Sequence, residues 1–106
     1  MAEEDTIRRR IMKLLEETDT PLTVNEITAM LNLNLTPAEV YGHLRHIART
    51  VKRSSGGRKA LLMRPPVCRS CGYVFSDMVD RPRKPSRCPR CRSEWIEPPA
   101  FIIGEV

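Results

Sequence analysis

At 106 residues the chain has room for one compact core, or for two small ones sharing a surface. No stretch approaches the roughly 18 consecutive apolar residues of a membrane helix, and the acid-first opening MAEEDTIRRR does not read as a secretory signal. A cytoplasmic protein is expected, in which thiols stay reduced and paired cysteines hold metal more often than each other.

The net charge of +5 is unevenly distributed. Residues 1–39 carry four basic side chains against eight acidic ones, and residues 65–106 carry seven against five. Between them, residues 40–64 hold Arg45, Arg49, Lys52, Arg53, Arg58, Lys59 and Arg64 and no acid at all. Such a patch speaks of partners rather than of fold, and its sign favours an anionic one.

Asp5 or Thr6 can cap a first helix, whose stripe is Ile7, Ile11, Leu14 and Leu15 and which ends near Asp19-Thr20-Pro21. Leu22 is placed as a short extended residue. Thr23 then opens a Thr-x-x-Glu capping box with Glu26, and its two-turn helix turns Val24, Ile27 and Leu31 inward. Asn32 and Asn34 break that helix as occupants of left-handed turn positions. A second box follows at once, with Thr36 as cap, Pro37 at the first helical position and Glu39 three residues after the cap. This helix is expected to run to about Lys52 with Val40, Leu44, Ile47 and Val51 inward. Two caps flanking a short helix and a short turn make a helix-turn-helix signal, which three-helix bundles without nucleic acid share.

Ser54-Ser55-Gly56-Gly57 reads as a break, Ala60–Met63 as a strand and Phe101–Val106 as another. Each strand meets the cysteine segment through a Pro-Pro pair. Antiparallel pairing of the two makes residues 67–97 an insertion at the tip of a hairpin, where a wing follows a helix-turn-helix. The expected fold is therefore α+β: a winged helix-turn-helix over residues 1–66 and 98–106, with residues 67–97 as a zinc ribbon inserted at the wing hairpin.

The insertion carries Cys68-x2-Cys71, sixteen intervening residues, then Cys88-x2-Cys91, a spacing that reads as a zinc site. Two cysteines three apart in a tight turn aim both sulfurs at one point, and two such turns supply a tetrahedron at about 2.3 Å per bond. Gly72 permits the positive φ of the first turn, whereas Arg92 stands where a second glycine would be ideal. The competing readings are disulfides or a redox-active pair, and the latter would need a βαβ surround. One Zn2+ per chain is expected, with iron as the alternative for a tetrahedral set of four sulfurs. Four thiolates close the site to catalytic water. Tyr73, Val74, Phe75, Met78, Val79, Trp95 and Ile96 are too few to fold this segment without metal. Tyr73 and Trp95 are placed in its packing, the sharper alternative being an aromatic patch for a partner.

With the stripe of the third helix inward, Ala38, Gly42, Arg45 and Arg49 fall on its opposite face, with Tyr41, His46 and Lys52 on the flanks. Small residues let the helix approach bases, Arg bonds guanine bidentately, and Tyr41 suits a phosphate. Lys52, Arg53, Arg58 and Lys59 add attraction to the backbone of a nucleic acid. The plain alternative is a solvated basic face. His43 and His46, three apart, have a spacing open to a metal, but surface histidines on a basic helix are the commoner case. Gly56-Gly57-Arg58-Lys59 lacks the frame of a phosphate loop. No catalytic constellation is present, so no enzyme is expected.

The run Thr36-Pro37-Ala38-Glu39-Val40-Tyr41-x-His43-Leu44 resembles the recognition-helix opening of many winged helix-turn-helix regulators. Cys68-Arg-Ser-Cys71-Gly72-Tyr73 with Cys88-Pro89-Arg-Cys91 resembles a rubredoxin-type zinc ribbon. In this order they resemble an archaeal family of predicted transcriptional regulators that fuse the two modules. The resemblance implies zinc on the four cysteines, a cytoplasmic location and a ribbon at the wing, which displaces the usual basic wing tip. Duplex DNA is the expected partner. The alternatives are a protein-interaction module or accessory factor of the transcription machinery acting through the ribbon, and RNA binding. No heptad or extra helix points to a dimer.

Overall fold

The computed structural model describes residues 2–76 and 84–106, with side chains from Thr6 onward. Met78 and Val79, and the side chain of Asp5, lie outside the described residues. Among the described residues three helices, α1 (Ala2–Glu17), α2 (Val24–Leu31) and α3 (Pro37–Ser54), pack with five short strands in two antiparallel sheets. The strands are β1 (Leu22–Thr23), β2 (Lys59–Arg64), β3 (Val67–Cys68), β4 (Ile96–Glu97) and β5 (Ala100–Glu105).

α1 begins earlier than its expected cap and runs straight through Asp5 and Thr6. Nothing in Ala-Glu-Glu-Asp opposes a helix strongly, so the cap-like residues sit within it. Its stripe holds: Ile11 and Leu15 are fully buried, with Ile7 and Leu14 packed beside them.

Both capping boxes form. The Thr23 amide donates to Glu26 Oε1 at 2.8 Å while the Glu26 amide donates to Thr23 Oγ1 at 3.2 Å. The Thr36 and Glu39 pair repeats this at 3.0 and 3.2 Å. Each box satisfies two amides that a helix start leaves without intrahelical partners. Between the helices Asn32 takes the left-handed conformation at φ 53; Asn34 does not.

β2 and β5 pair antiparallel from Lys59↔Glu105 to Arg64↔Ala100, and β1 joins the other edge of β5 through Leu22↔Phe101. Side chains alternate across these strands. Phe101 and Ile103 face the helices and join Ile11, Leu15, Leu44 and Ile47 in one core. Fully burying side chains of this size stabilises by about 1.5–3 kcal/mol each. Residues 65–99 lie between β2 and β5 and contribute a second, smaller cluster of Cys68, Phe75, Cys88 and Ile96 with Tyr73 against it. Among the described residues no helix is long and apolar enough to cross a membrane.

Candidate metal centre and candidate nucleic-acid interface

The two Cys-x2-Cys turns are built alike. In the first, the Gly72 amide donates to the Cys68 carbonyl at 2.8 Å and the Cys68 amide to the Tyr73 carbonyl at 2.9 Å. In the second, Arg92 donates to Cys88 and Cys88 to Ser93, both at 2.8 Å. Gly72 has φ 82 and Arg92 φ 63, so the second turn holds a bulky residue in left-handed backbone, where glycine meets no Cβ penalty.

These turns bring the four sulfurs within 4.8 Å of one another. Cys68 Sγ lies 3.5 Å from Cys91 Sγ, and Cys71 Sγ 3.6 Å from Cys88 Sγ. A disulfide needs about 2.05 Å, and all four cysteines are free. A zinc tetrahedron with bonds of about 2.3 Å has edges of about 3.8 Å, so the observed spacings fit it.

The electrostatics point the same way. Burial opposes ionisation of Cys68, but amide hydrogen bonds from Cys71 and Ser70, with help from the thiols of Cys91 and Cys71, bring its thiol down to about 6. Cys88 is lowered against the same burial by the amides of Cys91 and Arg90; its sulfur accepts from Arg90 N at 3.3 Å. At Cys91 the Ser93 amide acts downward, yet burial and the thiols of Cys68, Cys71 and Cys88 push it up to about 12. Four sulfurs this close do not all become anions unaided; a dication among them supplies the missing charge. Cys68, Cys71, Cys88 and Cys91 would hold one Zn2+ as a closed structural site.

Around the metal centre Tyr73 packs edge-on to Phe75, centroids 5.0 Å apart. Trp95 corrects the expectation that it packs inward: it is 61% exposed. Strand alternation is the cause, because its neighbour Ile96 takes the inward position at 4% exposure.

The basic residues of the sequence divide among several places. Gly42, Arg45 and Arg49 line an open cleft of about 310 Å3, together with Arg8 from α1, Glu39, His43 and His46. Arg8 Nε donates to His43 Nδ1 at 3.1 Å. The sequence carries no signal for Arg8 in this cleft, since its neighbourhood depends on how α1 packs on α3. Ala38, Lys52 and Arg53 are exposed on α3. Arg58 and Lys59 line a different groove with Met12 and Glu16. There Lys59 Nζ pairs with Glu16 at 3.7 Å, and Arg58 Nε donates to the Ser55 carbonyl at 3.1 Å. Tyr41, expected on the exposed flank, is only 7% exposed and packs against Phe101; lying next to Val40, it follows the stripe inward. Burial also raises its phenol above the ordinary value. Among the described residues the four cysteines are the one group of three or more metal-ligating side chains, and the histidines take no part in it.

Fold and site together define an α+β protein whose three-helix part carries a rubredoxin-like zinc ribbon. Residues 6–59 match the family described as PF0610-like, N-terminal, and residues 65–105 match the PF0610 rubredoxin-like zinc beta-ribbon domain. The chain belongs to this PF0610-like family. It is similar to the solution NMR structure of protein PF0610 from Pyrococcus furiosus, with 34% sequence identity and a TM-score of 0.75, covering 94% of this chain and 90% of that one. No curated protein matches the chain.

Proposed function

We propose that this protein is a DNA-binding transcriptional regulator, a binding protein rather than a catalyst, that acts in the cytoplasm. The carrying observation is the open cleft on α3, lined by Arg8, Arg45 and Arg49 with His43 and His46, against one carboxylate, Glu39. Arg side chains on a helix face suit both base edges and phosphates. In this reading α2, the Asn32 turn and α3 serve as the helix-turn-helix, and the antiparallel pair of β2 and β5 serves as the wing. The ribbon then replaces the wing tip, and sequence is read from the helix alone. Zinc is structural.

The test is a pair of salt titrations on a selected duplex and a scrambled one. Binding is expected to weaken as salt rises, because phosphate contacts release counterions. If the wild-type protein binds no duplex even near about 50 mM salt, where this attraction is strong, the regulator reading fails.

A further inference from the structure

The ribbon has an outer face that the metal centre does not use. Cys68 and Ile96 are paired in register across β3 and β4, and both point inward, at 1% and 4% exposure. Alternation therefore puts Val67, Arg69, Trp95 and Glu97 on the opposite face. The Arg69 amide donates to the Trp95 carbonyl at 2.9 Å, which carries the pairing one step beyond the strands. Val74 bridges to Val67 and is 46% exposed.

On this face Trp95 keeps 61% of its surface in solvent. The Arg69 guanidinium lies 5.9 Å from the centre of its ring, close enough for a cation–π contact that steadies the indole. Among the described residues no carboxylate pairs with Arg69, whereas Glu97 is engaged by Arg64 at 3.5 Å. The face is thus one largely exposed aromatic ring braced by a cation that lies over it.

We propose that this face binds single-stranded nucleic acid, with Trp95 stacking on an unpaired base and Arg69 meeting an adjacent phosphate. Size decides against a protein partner: a specific protein interface covers about 800 Å2 per side, while among the described residues the exposed apolar surface of this face is one indole and one valine, with Val67 half-buried. One ring and one cation are enough for a base and its phosphate, since stacking needs only a π-face and tolerates any sequence. Duplex DNA is excluded as the ligand, because its bases are stacked on each other and present only their edges. The inference does not rest on the reading of α3.

Trp95 is the chain's one tryptophan, so its emission reports this face alone. Zinc-loaded full-length protein is titrated at low salt with oligothymidylate and oligouridylate of about 12 nucleotides, a length within ordinary single-strand site sizes. An abasic strand of equal length and a duplex serve as controls. The expected result is quenching by both base-bearing strands and none by the abasic one. Trp95→Ala, with zinc content unchanged, should bind oligothymidylate about 5- to 150-fold more weakly and bind duplex as the wild type does. Should that variant lose zinc, Trp95→Phe retains stacking and Arg69→Ala lowers the salt slope by about one. Equal quenching by the abasic strand, quenching by only one sugar type, or wild-type affinity in Trp95→Ala overturns the proposal. So does silence toward every strand, which would leave the face to a protein. Failure of duplex binding alone touches only the α3 reading.

Discussion

The ring of Tyr41 on α3 meets that of Phe101 on β5 edge to face, with centroids 6.2 Å apart and planes at 68°. Phe101 is fully buried and is also the register partner of Leu22 on β1 and Met63 on β2. The strand that leaves the ribbon therefore anchors the helix bearing the basic cleft. Phe101→Ala should cost about 3–5 kcal/mol, as removal of a buried ring does, and lower the melting temperature by at least about 12 °C in a domain this small. A thermal melt followed by helical circular dichroism checks it, and an unchanged midpoint would contradict the packing.

Cys88 carries a different kind of stability. Its sulfur is buried in the small cluster with Cys68, Phe75 and Ile96, apart from the helical core. Zinc contributes folding free energy of order 10–16 kcal/mol to sites of this kind. Cys88→Ser should lose the one equivalent of metal and unfold the ribbon, leaving the helical dichroism largely intact. Acidification should release zinc as well, because protons compete for the thiolates. Loss of all helical signal in the variant would show that the ribbon and helices are one cooperative unit.

What the sequence disclosed was local. Both capping boxes span four residues, and each Cys-x2-Cys turn spans four, so their geometry is written in neighbouring side chains. What it concealed was set at a distance. Tyr41 is one position from the apolar stripe, and its burial is completed by Phe101 from the other end of the chain. Trp95 precedes a strand of two residues, too short to display an alternation. Arg8 reads as one of three consecutive arginines; only the packing of α1 on α3 selects it for the cleft. The pairing of Lys59 with Glu16 is likewise tertiary.

At the left-handed position the two metal-binding turns differ by the Cβ of Arg92, held at φ 63. A non-glycine residue there costs of order 1–3 kcal/mol, partly offset by the greater chain entropy glycine surrenders on folding. Arg92→Gly should tighten zinc retention in a chelator competition. Gly72→Ala, at φ 82, should weaken it. Opposite signs would show that the arginine side chain contributes something its backbone strain conceals.

At the start of α3, Thr36→Ala should cost about 1 kcal/mol by removing the cap. The Glu39 carboxylate accepts from the Thr36 amide and hydroxyl, each at 3.0 Å. The backbone bond first, then the hydroxyl, lower its pKa from the ordinary carboxylate value. A pKa lowered on folding stabilises the protein above the unfolded value of about 4.3, and that contribution is lost as pH falls through the folded one. The melting temperature of wild type should thus fall across this acidic window by more than that of Glu39→Ala. Parallel curves would remove the box from the stability of α3.

The cleft and the outlying cations should behave differently toward duplex DNA. Arg8, Arg45 and Arg49 line one surface though they come from two helices. If α3 enters a major groove, Arg45 or Arg49 reaches a base edge, and Arg45→Ala should weaken binding by roughly 1–3 kcal/mol and relax preference at one base position. Arg8 is held toward α3 by its bond to His43 Nδ1, at the margin where a backbone phosphate would pass. Arg8→Ala should then weaken all sequences alike and reduce the salt slope by about one. Lys59 lies in the other groove and is engaged by Glu16, so Lys59→Ala should leave both affinity and slope nearly unchanged. The same pair of salt titrations reads all three variants. If Lys59→Ala proves the more damaging change and Arg8→Ala is silent, DNA does not follow the cleft, and the contact surface lies on the groove formed by α1, the end of α3 and β2.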